Sequence, residues 1–306
     1  MRKYGLSLAT AAMIAVGGSA LIGSAAQAAG GGAHPPQPDY SFTGMFGSFD
    51  RAELQRGLQV YTGVCAACHG LDLVRFRELE ALGYSEDQIK AFAATYSVED
   101  GPNEDGDMYD RPGEPKDRFP APFPNVQAAA ASNGGKAPPD LSLIVKNRAH
   151  GLGSIGLNFV DMLKGGEFAT GAAYVSALLG HGYVEEPTMA DKMSCLAANP
   201  GESHEAYEAR LEEFEVPAGG HFNKWFPGCA IKMPNPLYED AVEYADGTPA
   251  TPEQMAHDVS VFLTWASEPT LEARKEMGIK ALLFLIVFTG ILIAVKRNIW
   301  RNVKKA

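Results

Sequence analysis

A mainly α-helical body carried on one C-terminal transmembrane helix is the fold class this sequence predicts, and three stretches predict it. Residues 251–266 combine a helix-start signal with apolar positions three and four apart. Residues 281–295, ALLFLIVFTGILIAV, are apolar and uncharged. Between residues 50 and 69 a helical stripe delivers the chain to the pentapeptide Cys65-Ala66-Ala67-Cys68-His69. With 306 residues there is material for one large domain or two small ones, and a single such pentapeptide argues for one.

In chain order, Met1 to Ala28 has a basic start (Arg2, Lys3), an apolar stretch through Leu21 and Ile22, and the small-residue triplet Ala26-Gln27-Ala28. This reads as a bacterial export signal cleaved after Ala28. Residues 29–47 are rich in Gly and Pro, an extended arm or disorder. Ser48 or Asp50 caps a first helix whose Leu54, Leu58 and Tyr61 form one stripe. Two short helices are expected over residues 73–98, then a long acidic surface loop from Glu99 to Pro124. Asp140 is placed to cap a helix ending before Gly151, Asn158 to begin another, and Tyr174–Leu179 to form a third, ended by Gly180.

Residues 202–215 read as a charged helix whose Tyr207, Leu211 and Phe214 dock on the body. Thr251, Pro252 and Gln254 give the last soluble helix an N-cap, an N1 proline and a capping-box glutamine. Met255, Val259, Phe262, Leu263 and Ala266 are its buried stripe. Pro269 breaks that helix, and Thr270 caps a continuous one that enters the membrane. The division expected is a cleaved signal over 1–28, a periplasmic domain over 29–269, and an anchor with a basic tail over 270–306. Lys296, Arg297, Arg301, Lys304 and Lys305 put the C-terminus in the cytoplasm, on the inner face of a bacterial inner membrane.

Charge supports an extracytoplasmic acidic body. The chain has 37 acidic and 26 basic side chains, net −11, and every acid lies between Asp39 and Glu276. Without the seven basic residues of the two ends, 19 basic face 37 acidic residues. That balance excludes nucleic acid as a partner. It suits a basic protein steered in by the field, or solubility alone; Glu99, Asp100, Glu104, Asp105, Asp107 and Asp110 are the candidates for such docking.

The pentapeptide is a Cys-x-x-Cys-His attachment site for one covalently bound haem c. Each thiol is placed to add to a haem vinyl group, and the imidazole that follows is held beneath the iron as an axial ligand. A thioredoxin-like redox pair and half a zinc site use the same spacing, though a zinc ribbon needs a second close cysteine pair that the sequence lacks. For the sixth ligand, Met233 stands out among the methionines because Pro234 and Pro236 stiffen its loop. Met255 belongs to a core stripe, Met277 lies at the membrane edge, and His150, His181, His204, His221 and His257 are rivals in principle.

The chain resembles the cytochrome c1 family over nearly its whole exported length. The resemblance rests on Arg56–Tyr61 leading into the pentapeptide, Phe119-Pro120-Ala121-Pro122-Phe123-Pro124-Asn125, and Pro138-Pro139-Asp140-Leu141-Ser142 with Arg148. Tyr174–Leu179, Trp225-Phe226-Pro227-Gly228 with Ile231, Met233 and Pro234, and the C-terminal anchor complete it. It implies a cytochrome c fold with insertions, and His69 and Met233 as iron ligands. It also implies Arg148 paired with a haem propionate and Asn125 lining the haem wall. The partners implied are cytochrome b, a Rieske iron-sulfur protein as electron donor, and a soluble or tethered cytochrome c as acceptor. Residues 151–172 and 188–221 look longer than the family pattern. With Cys65 and Cys68 committed, Cys195 and Cys229 are the remaining thiols in an oxidising compartment, and a disulfide between them is expected, with two free thiols as the alternative.

The function expected is one-electron transfer within a quinol:cytochrome c reductase of a respiratory or photosynthetic chain, the subunit by itself being no enzyme. Three alternatives stand beside it: a free-standing membrane-anchored cytochrome feeding an oxidase, a haem-based ligand sensor with a weak sixth ligand, and a thiol-disulfide oxidoreductase using Cys65 and Cys68.

Overall fold

The computed structural model describes residues 35–149 and 166–301; the expected signal, His150 and the helix expected from Asn158 lie outside the described residues. Helix α1, Arg51–Val60, starts where Asp50 Oδ1 accepts from the backbone N–H groups of Ala52 (2.8 Å) and Glu53 (3.3 Å), so Asp50 and not Ser48 is the cap. Leu54, Leu58 and Tyr61 are buried, as the stripe requires. The helix runs on into one π-helical turn, Tyr61–Cys65, in which Ala66 N–H reaches back to the Tyr61 carbonyl at 2.8 Å. One extra residue in the turn rotates the chain just before the pentapeptide.

After a 3₁₀ turn over Phe76–Leu82 come α2 (Glu86–Ala93), the strands β1 (Ser97–Asp100) and β2 (Tyr109–Pro112), α3 (Val126–Ser132) and α4 (Ile144–Arg148). The acidic stretch is therefore not a plain loop. β1 and β2 pair antiparallel, Ser97 opposite Pro112 and Asp100 opposite Tyr109. Arg111 holds the ribbon's base, bonded to Asp100 and, at 2.6 and 3.0 Å, to both oxygens of Asp117. One cation shared by two acids lets a net-acidic segment keep a fixed shape, while Glu99, Asp105, Asp107 and Asp110 stay exposed or nearly so.

Helix α5, Gly166–Gly180, ends where expected but begins well before Tyr174. The excursion that follows holds α6 (Met189–Cys195) and α7 (His204–Glu212). Leu211 of α7 is buried, Tyr207 donates its hydroxyl to the Leu196 carbonyl at 2.7 Å, and Phe214 packs on Phe222, so this face docks as its spacing predicts. A two-residue pairing of β3 (His221–Phe222) with β4 (Ala230–Ile231) precedes α8, Pro252–Ser267, and the long α9, Leu271–Trp300.

Helix α8 is the centre of the body, packed against α1, α4 and α5. The sequence predicts one buried stripe, yet from Met255 to Ser267 every residue except His257 is buried. The polar residues among them are accommodated by bonding: Ser267 Oγ donates to the Ser142 carbonyl (3.0 Å) and Thr264 Oγ1 to Ser260 O (2.7 Å). Only half of the capping box forms. Thr251 accepts from Gln254 N–H at 3.2 Å, but the Gln254 amide turns along the helix to Asp258 instead (3.0 Å).

Asp258 is fully buried, and Arg56 of α1 grips both of its oxygens at 2.9 and 3.1 Å. One position along, Gly57 lets α1 and α8 touch backbone to backbone: a Cβ there would lie 2.2 Å from the Asp258 carbonyl oxygen. Gly171 does the same for α4 and α5, where a Cβ would lie 2.1 Å from Val145 O. Beside Tyr61, the rings of Phe76, Phe92, Tyr96 and Phe119 pack at centroid distances of 4.6 to 6.1 Å. The arm packs with Tyr40 and Phe42 buried, Tyr40 stacking on His257 at 5.1 Å.

Helix α9 spans 30 residues with a mean hydropathy of 2.5 in its most apolar window, and none of that window is buried in the body. At about 1.5 Å per residue it reaches roughly 45 Å, enough to cross a bilayer. Thr270 makes no capping bond to its backbone; the hydroxyl lies 3.3 Å from Glu268 Oε1.

Candidate haem site

The pentapeptide is a tight turn hung from the π-helical segment. The N–H groups of Cys68 and His69 both return to the Cys65 carbonyl, at 3.1 and 2.9 Å, which keeps the two thiols on one side of a single turn. Both cysteines are free; Cys65 is half-buried and Cys68 exposed. Burial pushes the Cys65 thiol up to about 12, the reverse of the lowered value a redox nucleophile needs. Among the described residues no three His, Cys, Asp or Glu side chains are grouped as a metal ion would require.

His69 is fixed by a segment far away in sequence. Its Nδ1 lies 2.7 Å from the Pro139 carbonyl oxygen, so Nδ1 carries the proton and Nε2 keeps its lone pair. Burial holds the imidazole below its ordinary value, against the opposing pull of the Pro139 carbonyl and the Asp140 carboxylate. The Pro139 carbonyl is itself held in place. Asp140 accepts from the N–H groups of Asp72 (2.8 Å) and Ser142 (2.9 Å), Ser142 Oγ accepts from Leu73 N–H (3.1 Å), and Leu141 N–H donates to Gly70 O (2.9 Å). Asp140 therefore laces two loops together, and α4 starts only at Ile144, shorter than the sequence predicts. Tyr61 closes the same site from above, its hydroxyl donating to the His69 carbonyl at 3.1 Å.

Met233 is half-buried and packs on the same core as Cys65, Ala66 and Ile144. Tyr183 donates its hydroxyl to the Met233 carbonyl at 3.0 Å. Behind it stands Asn223, fully buried and hydrogen-bonded: its side-chain amide donates to Leu178 O (2.9 Å), its Oδ1 accepts from the Trp225 backbone N–H (3.1 Å), and its backbone N–H donates to Cys229 O (2.9 Å). Cys229 is joined to Cys195 in the expected disulfide, Cα to Cα 5.1 Å. The Met233 loop is thus tied to α5 through Asn223 and to α6 through the bridge.

Of the remaining expected site residues, Arg148 ends α4 with its guanidinium 5.5 Å from the centre of the Tyr174 ring. The Tyr174 hydroxyl and the Trp225 indole N–H are buried with no hydrogen-bond partner among the described residues. A cation beside an unanswered hydroxyl suits an acidic group such as a haem propionate. Asn125 is exposed and caps α3, its Oδ1 accepting from Ala128 N–H at 2.8 Å. His181, His204 and His257 lie 3.2 to 3.5 Å from Glu253, Glu208 and Glu53, so carboxylates occupy them. Two free thiols and an imidazole with one open nitrogen, on a single turn, fit a covalently held haem, and the Met233 thioether packs on the same core cluster. The reading from sequence missed the Pro139 carbonyl, Tyr183 and Asn223. For Pro139 the Pro-Pro-Asp run was a signal; the other two carried none.

A helical body with such a donor set, on a helix of membrane-crossing length, defines the class as a membrane-associated cytochrome. Comparison with known proteins is specific. The cytochrome c1 family matches residues 40–303, and the chain belongs to that family. A Rhodospirillum rubrum protein named cytochrome c1 is 44% identical over 96% of this chain and 97% of its own length. The Schizosaccharomyces pombe "cytochrome c1, heme protein, mitochondrial" is 40% identical over 89% of this chain and 74% of its own length. A Bradyrhizobium diazoefficiens protein named cytochrome b/c1 is 44% identical over 99% of this chain, which spans only 41% of that longer protein.

Proposed function

We propose that this chain is the one-electron haem subunit of a quinol:cytochrome c reductase. The observation that carries the proposal is the Cys-x-x-Cys-His turn with His69 Nδ1 held at 2.7 Å by the Pro139 carbonyl. Haem, when bound, supplies an iron that gains and loses one electron. Cys65 and Cys68 would hold it through thioether bonds to its vinyl groups, an addition that needs no oxidant. His69 would ligate the iron through Nε2, and Met233 would supply a thioether as the second ligand, which would favour the reduced state and leave no open position for a small molecule. Arg148 would neutralise a propionate, and Asn125, which caps α3, would stiffen the adjoining wall. Because the His69 ring is held by the Pro139 carbonyl and the Met233 backbone by the Tyr183 hydroxyl, little would have to move when the charge changes.

The partners follow from the family. The Candida albicans relative is named a subunit of the cytochrome b-c1 complex. On that footing cytochrome b is the neighbour in the membrane, a Rieske iron-sulfur protein the donor, and a soluble or tethered cytochrome c the acceptor. The body faces the periplasm after cleavage of residues 1–28, and the basic tail faces the cytoplasm. The test is an optical redox titration of the membrane-bound protein, wild type beside Met233→Leu, with carbon monoxide added to each reduced sample. A wild type inert to the gas and a variant that falls in potential and binds it are expected. If both behave alike, Met233 is not the ligand; if the wild type binds the gas, the ligand-sensor reading replaces this one.

A further inference from the structure

The first turns of α9 do not leave the body freely. Lys275 Nζ donates to the carbonyls of Phe42 (2.5 Å) and Gly47 (2.9 Å), and Glu272 accepts from Phe49 N–H (2.7 Å) and from Arg51 (2.9 Å). The arm is thereby clamped to the anchor helix through a compact double turn, Thr43 N–H to Tyr40 O and Gly47 N–H to Gly44 O, with Gly44 at φ +75°. At the tip of this turn Phe46 is 82% exposed, the most exposed large apolar side chain among the described residues.

Its height above the membrane can be worked out. The apolar run of α9 starts between Met277 and Ala281, depending on whether Lys280 snorkels. Lys275 is two to six residues before that edge, so at about 1.5 Å per residue it stands roughly 3 to 9 Å outside the hydrocarbon. The interfacial layer on each side of a bilayer is roughly 5 to 8 Å thick. The clamp therefore sets Gly47, and Phe46 beside it, at headgroup depth. An aromatic side chain left four-fifths uncovered is stable at that depth and a liability in water.

We propose that the turn Thr43–Ser48 is a second membrane contact, with Phe46 entering the lipid headgroup layer beside α9. Two contacts, one spanning and one interfacial, fix the tilt of the body over the bilayer where one helix alone would leave it free to rock. The inference rests on α9 crossing the membrane. It is tested with single nitroxide labels on the full haem-loaded chain in phosphatidylcholine vesicles, at Phe46→Cys, Ile286→Cys and Glu104→Cys. With haem attached at Cys65 and Cys68 and Cys195 bridged to Cys229, each variant has one free thiol. Accessibility to a water-soluble nickel chelate and to oxygen is read by electron paramagnetic resonance. The label at 46 is expected to meet nickel at least threefold less than the label at 104, with oxygen access raised. If 46 matches 104 while 286 is shielded from nickel, α9 spans and the proposal falls. If 286 also matches 104, the anchor reading itself fails. If nickel and oxygen access fall together at 46, protein covers the turn, and the lipid contact is overturned.

Discussion

Gly57→Ala is the sharpest test of how the body is assembled. On a solvent-facing helix the exchange adds about 1 kcal/mol of stability, because alanine is the better helix former. Here the new Cβ would lie 2.2 Å from the Asp258 carbonyl oxygen and 2.5 Å from Phe262 Cβ. Ordinary contact is about 3.5 Å or more, so α1 and α8 must part by about 1 Å at their crossing. Overpacking of this kind costs about 1 to 3 kcal/mol, and the upper end applies because the obstacle is backbone, with no side-chain rotation to relieve it. Parting the helices also stretches the two-pronged Arg56–Asp258 bond at a carboxylate with no solvent to turn to. The net expectation is a loss of about 2 kcal/mol, roughly thirtyfold in the folding equilibrium. Urea unfolding of the haem-loaded protein in detergent, followed by near-ultraviolet circular dichroism, measures it. A variant as stable as wild type, or more stable, refutes the backbone contact between α1 and α8.

The remaining predictions concern the site and its supports. Replacing Cys195 and Cys229 together by alanine opens a loop of 34 residues and should cost roughly 3 to 4 kcal/mol by chain entropy. It should also lower the redox potential by loosening the Met233 loop; an unchanged potential on titration would show that Asn223 and Tyr183 hold the loop without the bridge. Asp140→Ala leaves the Asp72 and Ser142 N–H groups unanswered and frees the Pro139 carbonyl, so stability should fall by about 1 to 3 kcal/mol. The proton nuclear magnetic resonance of the His69 ring should move with it, and an unmoved ring would place its support elsewhere. Glu202, bonded to Arg210 and to Asn199 N–H, is held down at about 2. A carboxyl lowered by folding stabilises above its ordinary range, and that contribution is lost as pH falls from about 4.5 toward 2. Glu202→Gln should therefore reduce the drop in urea midpoint between pH 5 and pH 3, and an unaltered drop would count against the ion pair.

Some of this protein was determined by local sequence alone. Asp50, Ser203 and Thr251 cap helices because a short acceptor before an apolar-periodic run satisfies free N–H groups wherever the helix is placed. The apolar run in α9 and the Cys-x-x-Cys-His turn are equally local, and both stand where the sequence places them. The cysteine pairing came from counting thiols, which needs no geometry. What sequence spacing could not decide were the contacts between segments far apart. The burial of α8 on nearly all sides came from α1, α4, α5 and the arm closing around it, where the helix's own pattern showed one stripe. The pairing of β1 with β2 depended on Arg111 meeting Asp117 as well as Asp100. The orientation of His69 is set by a carbonyl 70 residues away, and the seat of Met233 by a tyrosine 50 residues before it. Backbone carbonyls carry no side-chain signature, so a bond to one is invisible in the letters and appears only when the chain has folded.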